Sequence, residues 1–155
     1  MIFKDPPSPI LDSSIPFSKK DIDQYIESDG KNNSATFAGL LPIKFCLITT
    51  KGRTTGLWRR TALYYIEYNN DLYLVSSNDA KINQPDWYLN ACQNPIVWIE
   101  KSNQDSYWGV CHDISEQESL RNIIWSKFCS MAPIYKFLQD QSKDRIFSIV
   151  RVRKV

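Results

Sequence analysis

Apolar positions recur along this chain with two different periods, and the changes of period mark its elements. Prolines at 6, 7, 9 and 16 fix φ and remove amide donors, so residues 1–17 are expected to form an extended arm. Ile22, Tyr25 and Ile26 then fall on one helical face. Ser18 has N-cap chemistry, and Asp21 and Asp23 suit a first turn, so the helix is expected to run from Ser18 and stop by Gly30. From Ile43 the period drops to two. Ile43–Thr49 is rich in β-branched and aromatic residues and reads as a strand. A turn over Gly52–Gly56 follows, then a long strand from Leu57 to Tyr68. Asn69-Asn70-Asp71 is hairpin chemistry. In the next strand, Asp71–Ser77, the residues Leu72, Leu74 and Ser76 point one way and Tyr73, Val75 and Ser77 the other.

Pro85 suits the first turn of a short helix that runs to about Gln93. Strands follow at Ile96–Lys101 and Ser106–Ile114. Ser115-x-x-Glu118 reads as a capping box for a helix with Leu120, Ile123, Ile124 and Phe128 on its apolar face. Pro133 opens another helical turn with Tyr135, and Arg145–Val152 is the last strand. Consecutive hairpins with few helices predict an α+β fold whose mostly antiparallel sheet curls into a small barrel.

At 155 residues and 43% hydrophobic content the chain can build one domain around a sizeable core. Residues 1–33 are expected to be an arm and short helix, and residues 34–155 the barrel domain. The 19 basic and 17 acidic side chains nearly cancel, which argues against nucleic acid as a partner. No apolar run reaches the length of a membrane span, and the opening residues do not read as a signal peptide, so a cytoplasmic protein is expected. Cys46, Cys92, Cys111 and Cys129 are too scattered for a zinc site or redox pair and are expected to be small buried side chains. His112 adjoins Cys111 in a strand, where neighbours face opposite ways, so a nucleophilic Cys–His pair is not expected. No cluster has metal-ligand spacing, and no metal is expected.

The chemistry concentrates between residues 47 and 95. Lys51, Arg53, Arg59 and Arg60 crowd into ten positions with Gly52 and Gly56 between them, and Thr49, Thr50, Thr54, Thr55 and Thr61 add hydroxyls. Such a loop suits the phosphate or carboxylate of a small ligand. The same composition also describes a solvated hairpin turn.

Two motifs decide how this stretch is read. Thr50-x-Gly52-Arg53-x-Thr55-Gly56-x-x-Arg59-x-x-x-Leu63-Tyr64 is followed by Pro85-x-Trp87-Tyr88-x-Asn90 and Asn94-Pro95-x-Val97. In this order and separation they resemble the two signatures of the deazaflavin-dependent nitroreductase family. The resemblance spans roughly residues 34–152 and is weaker at Tyr135 and Asp144-Arg145. It implies the FMN-binding-like split β-barrel of flavin and deazaflavin oxidoreductases. It implies coenzyme F420 (8-hydroxy-5-deazaflavin) as cofactor, with an acidic phosphate and oligoglutamate tail. Hydride would pass to a quinone, an activated alkene or a nitro compound. Carried over, Lys51, Gly52, Arg53, Thr54, Arg59 and Thr61 would hold the cofactor's acidic groups. Ser76, Ser77 and Asn78 would lie beside the ring, and Trp87 and Tyr88 would wall the pocket. Tyr135, Tyr64 and Ser77 would serve the chemistry.

The chain departs from the family pattern at several of these places. Ala62 stands where the family usually has proline, Asp79-Ala80 where it has paired glycines, and Asn78 where it has a basic residue. Ala132 and Leu138 flank Tyr135 in place of tyrosines. Three outcomes stay open at this point: an F420 reductase, a module that binds FMN or a similar flavin without turnover, and a non-redox isomerase or cyclase that uses the pocket with no cofactor. The expected partner is a small-molecule substrate, and the expected state a monomer or homodimer.

Overall fold

Strand β3 (Ile43–Lys51) is the centre of the molecule, buried along nearly its whole length. The computed structural model describes residues 5–36 and 42–155. Around β3 run β1 (Ile10–Asp12), β2 (Ser34–Ala35), β4 (Trp58–Tyr64), β5 (Ile66–Tyr68), β6 (Asp71–Val75), β7 (Ile96–Ser102), β8 (Asp105–Asp113) and β9 (Ile149–Lys154). The helices are α1 (Pro16–Glu27), α2 (Asp86–Gln93), α3 (Glu118–Met131) and α4 (Ile134–Gln141). The strand order is β1-β4-β3-β7-β8-β9-β6-β5, with β2 paired to β3. Every pairing is antiparallel except β1 with β4. The fold is mixed α+β with a largely antiparallel sheet.

The expected closure into a split barrel is not part of this hydrogen-bonded path, which ends at β1 and β5 among the described residues. The chain nevertheless draws the far parts of the path together. β4 lies near one end and β5 at the other, and only Tyr65 separates them. That is why the long strand expected over 57–68 is broken: its two halves pair with different partners, β3 and β6. The inner face of the resulting curl holds Cys46, Ile48, Leu72, Leu74, Val97, Ile99, Val150 and Val152, with Trp87 and Ala91 of α2 packed on them. The outer face is covered twice. Helix α1 sets Ile22 and Tyr25 on Phe45 and Leu47. Helices α3 and α4 set Ile124, Phe128 and Tyr135 on Tyr73, Val75 and Ile149. The alternation of β6 is as expected: Leu72 and Leu74 face inward, Tyr73 and Val75 outward.

Several boundaries differ from expectation because a hydroxyl found a better partner than a helix end. Helix α1 starts at Pro16, with Pro at the first turn and no side-chain cap. Ser18 lies inside it, bonded to Thr61 Oγ1 (2.8 Å) and accepting the Ala62 N–H (2.8 Å). Ser115 does not cap α3, which begins at Glu118. Both its N–H and its hydroxyl donate to Asp113 Oδ1. Ser76 and Ser77 lie beyond the end of β6, and Arg145–Ser148 precede β9 rather than belonging to it. The arm is not wholly irregular, since β1 pairs with β4. Among the cysteines only Cys46 is fully buried, and Cys92 is exposed. Ile123, expected on the buried face of α3, is 42% exposed.

Candidate functional site

The turn between β3 and β4 is built by its glycines. Gly56 has φ +72°, which a side chain tolerates poorly. At Gly52 a Cβ would meet Thr55 Oγ1 at 2.9 Å and the Leu57 carbonyl oxygen at 3.1 Å. The turn closes through Gly52 N–H to the Leu57 carbonyl (2.7 Å) and Gly56 N–H to the Gly52 carbonyl (2.8 Å). Thr55 Oγ1 accepts the Leu57 N–H (3.2 Å).

The two sequence motifs meet at Asn90. Its buried side-chain carbonyl accepts the Arg53 backbone N–H (3.1 Å) and Arg53 Nη1 (2.8 Å). Its amide donates to Thr50 Oγ1 (3.3 Å). Arg53 Nη2 also reaches Asp86 at 3.1 Å. Asn90 thus fixes the basic turn to α2, a role that residue spacing alone did not assign to it. Arg53 is spent largely on this clamp. Lys51 and Arg59 are exposed and make no ion pair among the described residues. Arg59 is the cross-strand partner of Thr50, so the two share a sheet face. Thr54 is exposed in the turn.

Arg60 does not join this group. It faces the other side of β4, bonded to Asp12 (2.8 Å) and Glu100 (3.2 Å). Strand alternation between Arg59 and Arg60 was the signal that separates them, and by the same register Lys51, paired with Trp58 at the end of β3, lies on Arg60's face. Thr61 is occupied by Ser18. Ala62 uses its N–H on the same serine, a bond that proline could not make.

A second loop follows β6. Ser76 is fully buried, its N–H donating to the Ser148 carbonyl (2.9 Å) and its hydroxyl accepting the Ser148 N–H (2.8 Å). Ser77 is right-handed helical. Asn78, Asp79 and Ala80 have φ of +45°, +53° and +59°. The backbone at Asp79-Ala80 therefore keeps the left-handed path that glycine favours, without glycine, and the Asp79 residue is solvent-exposed. Asn78 Nδ2 donates to the Asn83 carbonyl (2.9 Å), and Arg145 binds the loop from behind.

The tyrosines are set apart by burial. Tyr135 is 7% exposed and packs edge-on against Phe128 (5.2 Å) and Trp125 (6.5 Å). Tyr64 is half-buried and touches the same cluster, as does Ala80 of the second loop. Burial pushes both phenols above their ordinary range; the neighbouring Asp21 charge adds to this at Tyr64, and Tyr64 itself adds to it at Tyr135. Both are neutral O–H donors at neutral pH, not bases. Trp87 is 7% exposed and belongs to the inner core. Tyr88 donates to Asp113 Oδ2. Burial, then this hydrogen bond, raises the Tyr88 phenol. Burial pushes the Cys111 thiol up to about 12, so it is inert as a nucleophile.

These features fit a ligand that is acidic at one end and flat and polar at the other. Arg59 and the glycine turn offer a cation and open backbone to an acidic group, and the loop after β6 offers a backbone path free of ladder pairing. No helix among the described residues is long and apolar enough to cross a membrane.

Comparison with known proteins gives the fold and the family. A solved structure described as an F420-H2 dependent reductase, FDR-A, superposes with TM-score 0.62 at 24% identity, covering 70% of this chain and 93% of that one. A protein described as a domain-swapped dimer superposes with TM-score 0.64 at 22% identity, covering 91% of this chain and all of that one. HutZ, described as a heme storage protein from Vibrio cholerae, reaches TM-score 0.54 at 11% identity over 72% of this chain and 81% of that one. At such identities these likenesses establish the fold. The sequence model of one family matches residues 19–153. The chain belongs to the F420H(2)-dependent quinone reductase family, a family of deazaflavin-dependent oxidoreductases.

Proposed function

We propose that this protein reduces a small electrophilic acceptor, a quinone foremost, with activated alkenes and nitro compounds in the same class, at the expense of reduced coenzyme F420. The observation that carries the reading is the joining of the two signature motifs at Asn90, which holds Thr50 and Arg53 to α2. When bound, the deazaflavin supplies a hydride. The chain supplies everything else.

Arg59 holds the acidic tail by a charge-assisted contact, and Lys51, on the opposite face, reaches it only around the open end of β3. The Gly52 and Thr54 backbone approaches it closely, while Arg53 stays with Asn90 and Asp86 and shapes the turn. Thr61 supports the strand through Ser18 rather than reaching the ligand. Ser76 anchors the second loop, and Ser77 and Asn78 present polar groups to the ring. Trp87 and Tyr88 stiffen the wall from inside the core. Tyr64, neutral and half-buried, donates a hydrogen bond to the acceptor oxygen as negative charge develops on it. Tyr135, buried beside it, lines the same side and excludes water. The curl of the sheet supports a split barrel as the frame for this groove.

Titrating the purified protein with coenzyme F420 and with FMN, followed by fluorescence, tests the cofactor. Oxidation of reduced F420 with menadione as acceptor tests the turnover. Saturable F420 binding and acceptor-dependent oxidation are expected, with Tyr64→Phe lowering turnover and leaving F420 affinity nearly unchanged. Turnover of a substrate in cofactor-free buffer, with no F420 binding, overturns the proposal in favour of a non-redox enzyme.

A further inference from the structure

Arg145 lies just before β9 and outside every ladder. Its guanidinium makes six hydrogen bonds to one loop, five to carbonyl oxygens and one from Nη1 to Ser76 Oγ (3.5 Å). Nη1 donates to the Ser76 carbonyl (2.6 Å) and Gln84 Oε1 (3.0 Å). Nη2 donates to the carbonyls of Ser77 (2.9 Å) and Lys81 (2.9 Å), and Nε again to Lys81 (3.2 Å). The group lies over the Phe147 ring at 5.0 Å. Among the described residues no carboxylate lies within ion-pair distance of it. A planar fork with five donors, satisfied by carbonyls, is a template for a backbone path.

The template has a consequence on the other side of the loop. In a trans peptide the C=O and N–H point in opposite directions. With the Ser76 and Ser77 carbonyls turned onto Arg145, the N–H groups of Ser77 and Asn78 point away from it. Neither N–H has a hydrogen-bond partner among the described residues. Ser77 is right-handed and Asn78 left-handed, a succession that turns neighbouring N–H groups onto one concave side and suits an electron-rich oxygen.

We propose that Arg145 is a positioning residue for cofactor binding, aiming the Ser77 and Asn78 N–H groups at the ring oxygens of the bound deazaflavin. The inference rests on the reading that this loop lies beside the ring. Arg145 itself does not touch the cofactor.

The test is a fluorescence titration of coenzyme F420 into wild type, Arg145→Ala and Arg145→Lys, with melting curves of all three. Loss of preorganised donors is expected to weaken F420 binding on the order of tenfold in both variants, since lysine keeps the charge and not the fork. Added guanidinium at low millimolar concentration is expected to restore binding in Arg145→Ala, and methylammonium is not. If the alanine variant fails to fold, the lysine variant carries the comparison. Wild-type affinity in a folded variant overturns the inference. So does a loss that guanidinium does not restore in a variant with a lowered melting point, which assigns Arg145 to the fold alone. No F420 binding in wild type instead overturns the functional reading beneath it, and the inference with it.

Discussion

The two loops of the site arrive at tight, open backbone paths by opposite means. The turn between β3 and β4 is written locally. Gly56 takes its left-handed φ freely, Gly52 leaves room for Thr55 and Leu57, and Asn90 locks the result. The loop after β6 has three left-handed residues in a row and no glycine. Each such residue costs on the order of 1–3 kcal/mol when nothing compensates. Arg145, 61 to 69 positions further along the chain, binds the carbonyls on both sides of these three residues, those of Ser76, Ser77 and Lys81, and the Gln84 side chain. A missing glycine pair thus does not mean a missing backbone path. The constraint has moved from the residue to a clamp.

Asn90→Ala should break the first loop most severely. It removes the acceptor for two Arg53 donors from a buried position, so a stability loss of about 2–3 kcal/mol is expected in chemical denaturation. An unchanged midpoint would mean the glycine turn stands without α2. The cations come next. Arg59→Ala should weaken F420 binding by about 1.5–3 kcal/mol, roughly ten- to a hundredfold, and leave stability unchanged. Arg60→Ala should do the reverse, costing about 1 kcal/mol of stability through Asp12 and Glu100 with affinity intact. Equal effects of the two would dissolve the distinction between the faces of β4.

The smallest effects test the comparison itself. Gly56→Ala should destabilise by about 1 kcal/mol, because φ is +72°. Ala80→Gly should stabilise by a similar amount, about 1 kcal/mol, because at φ +59° the left-handed strain on alanine outweighs the packing of its methyl on the α3–α4 cluster. Thermal melting distinguishes the signs. Two losses would mean that Ala80 earns its place by packing on the α3–α4 cluster.

Much of the fold was legible because its causes are local. The alternation of β6, the Asn69-Asn70 turn with φ +49° and +68°, and Pro85 ahead of α2 all follow from neighbouring residues. What escaped depended on distant partners. Ser18 and Ser115 have capping chemistry, but Ala62 and Asp113 hold them elsewhere. The break at Tyr65 exists because β3 and β6 lie at different places in the sheet. In the site, the basic turn was readable from glycines and charges. The resemblance named Asn90 and Arg145 within its motifs, yet their roles needed coordinates, since each acts on backbone atoms that sequence does not place.

Hydrogen exchange of the backbone amides with and without coenzyme F420 tests the central claim most directly. One ligand spanning both loops should slow exchange in residues 52–57 and in residues 77–80 together, saturating at a single F420 concentration. Protection confined to one of these segments, or found in neither while F420 is bound, would contradict the account.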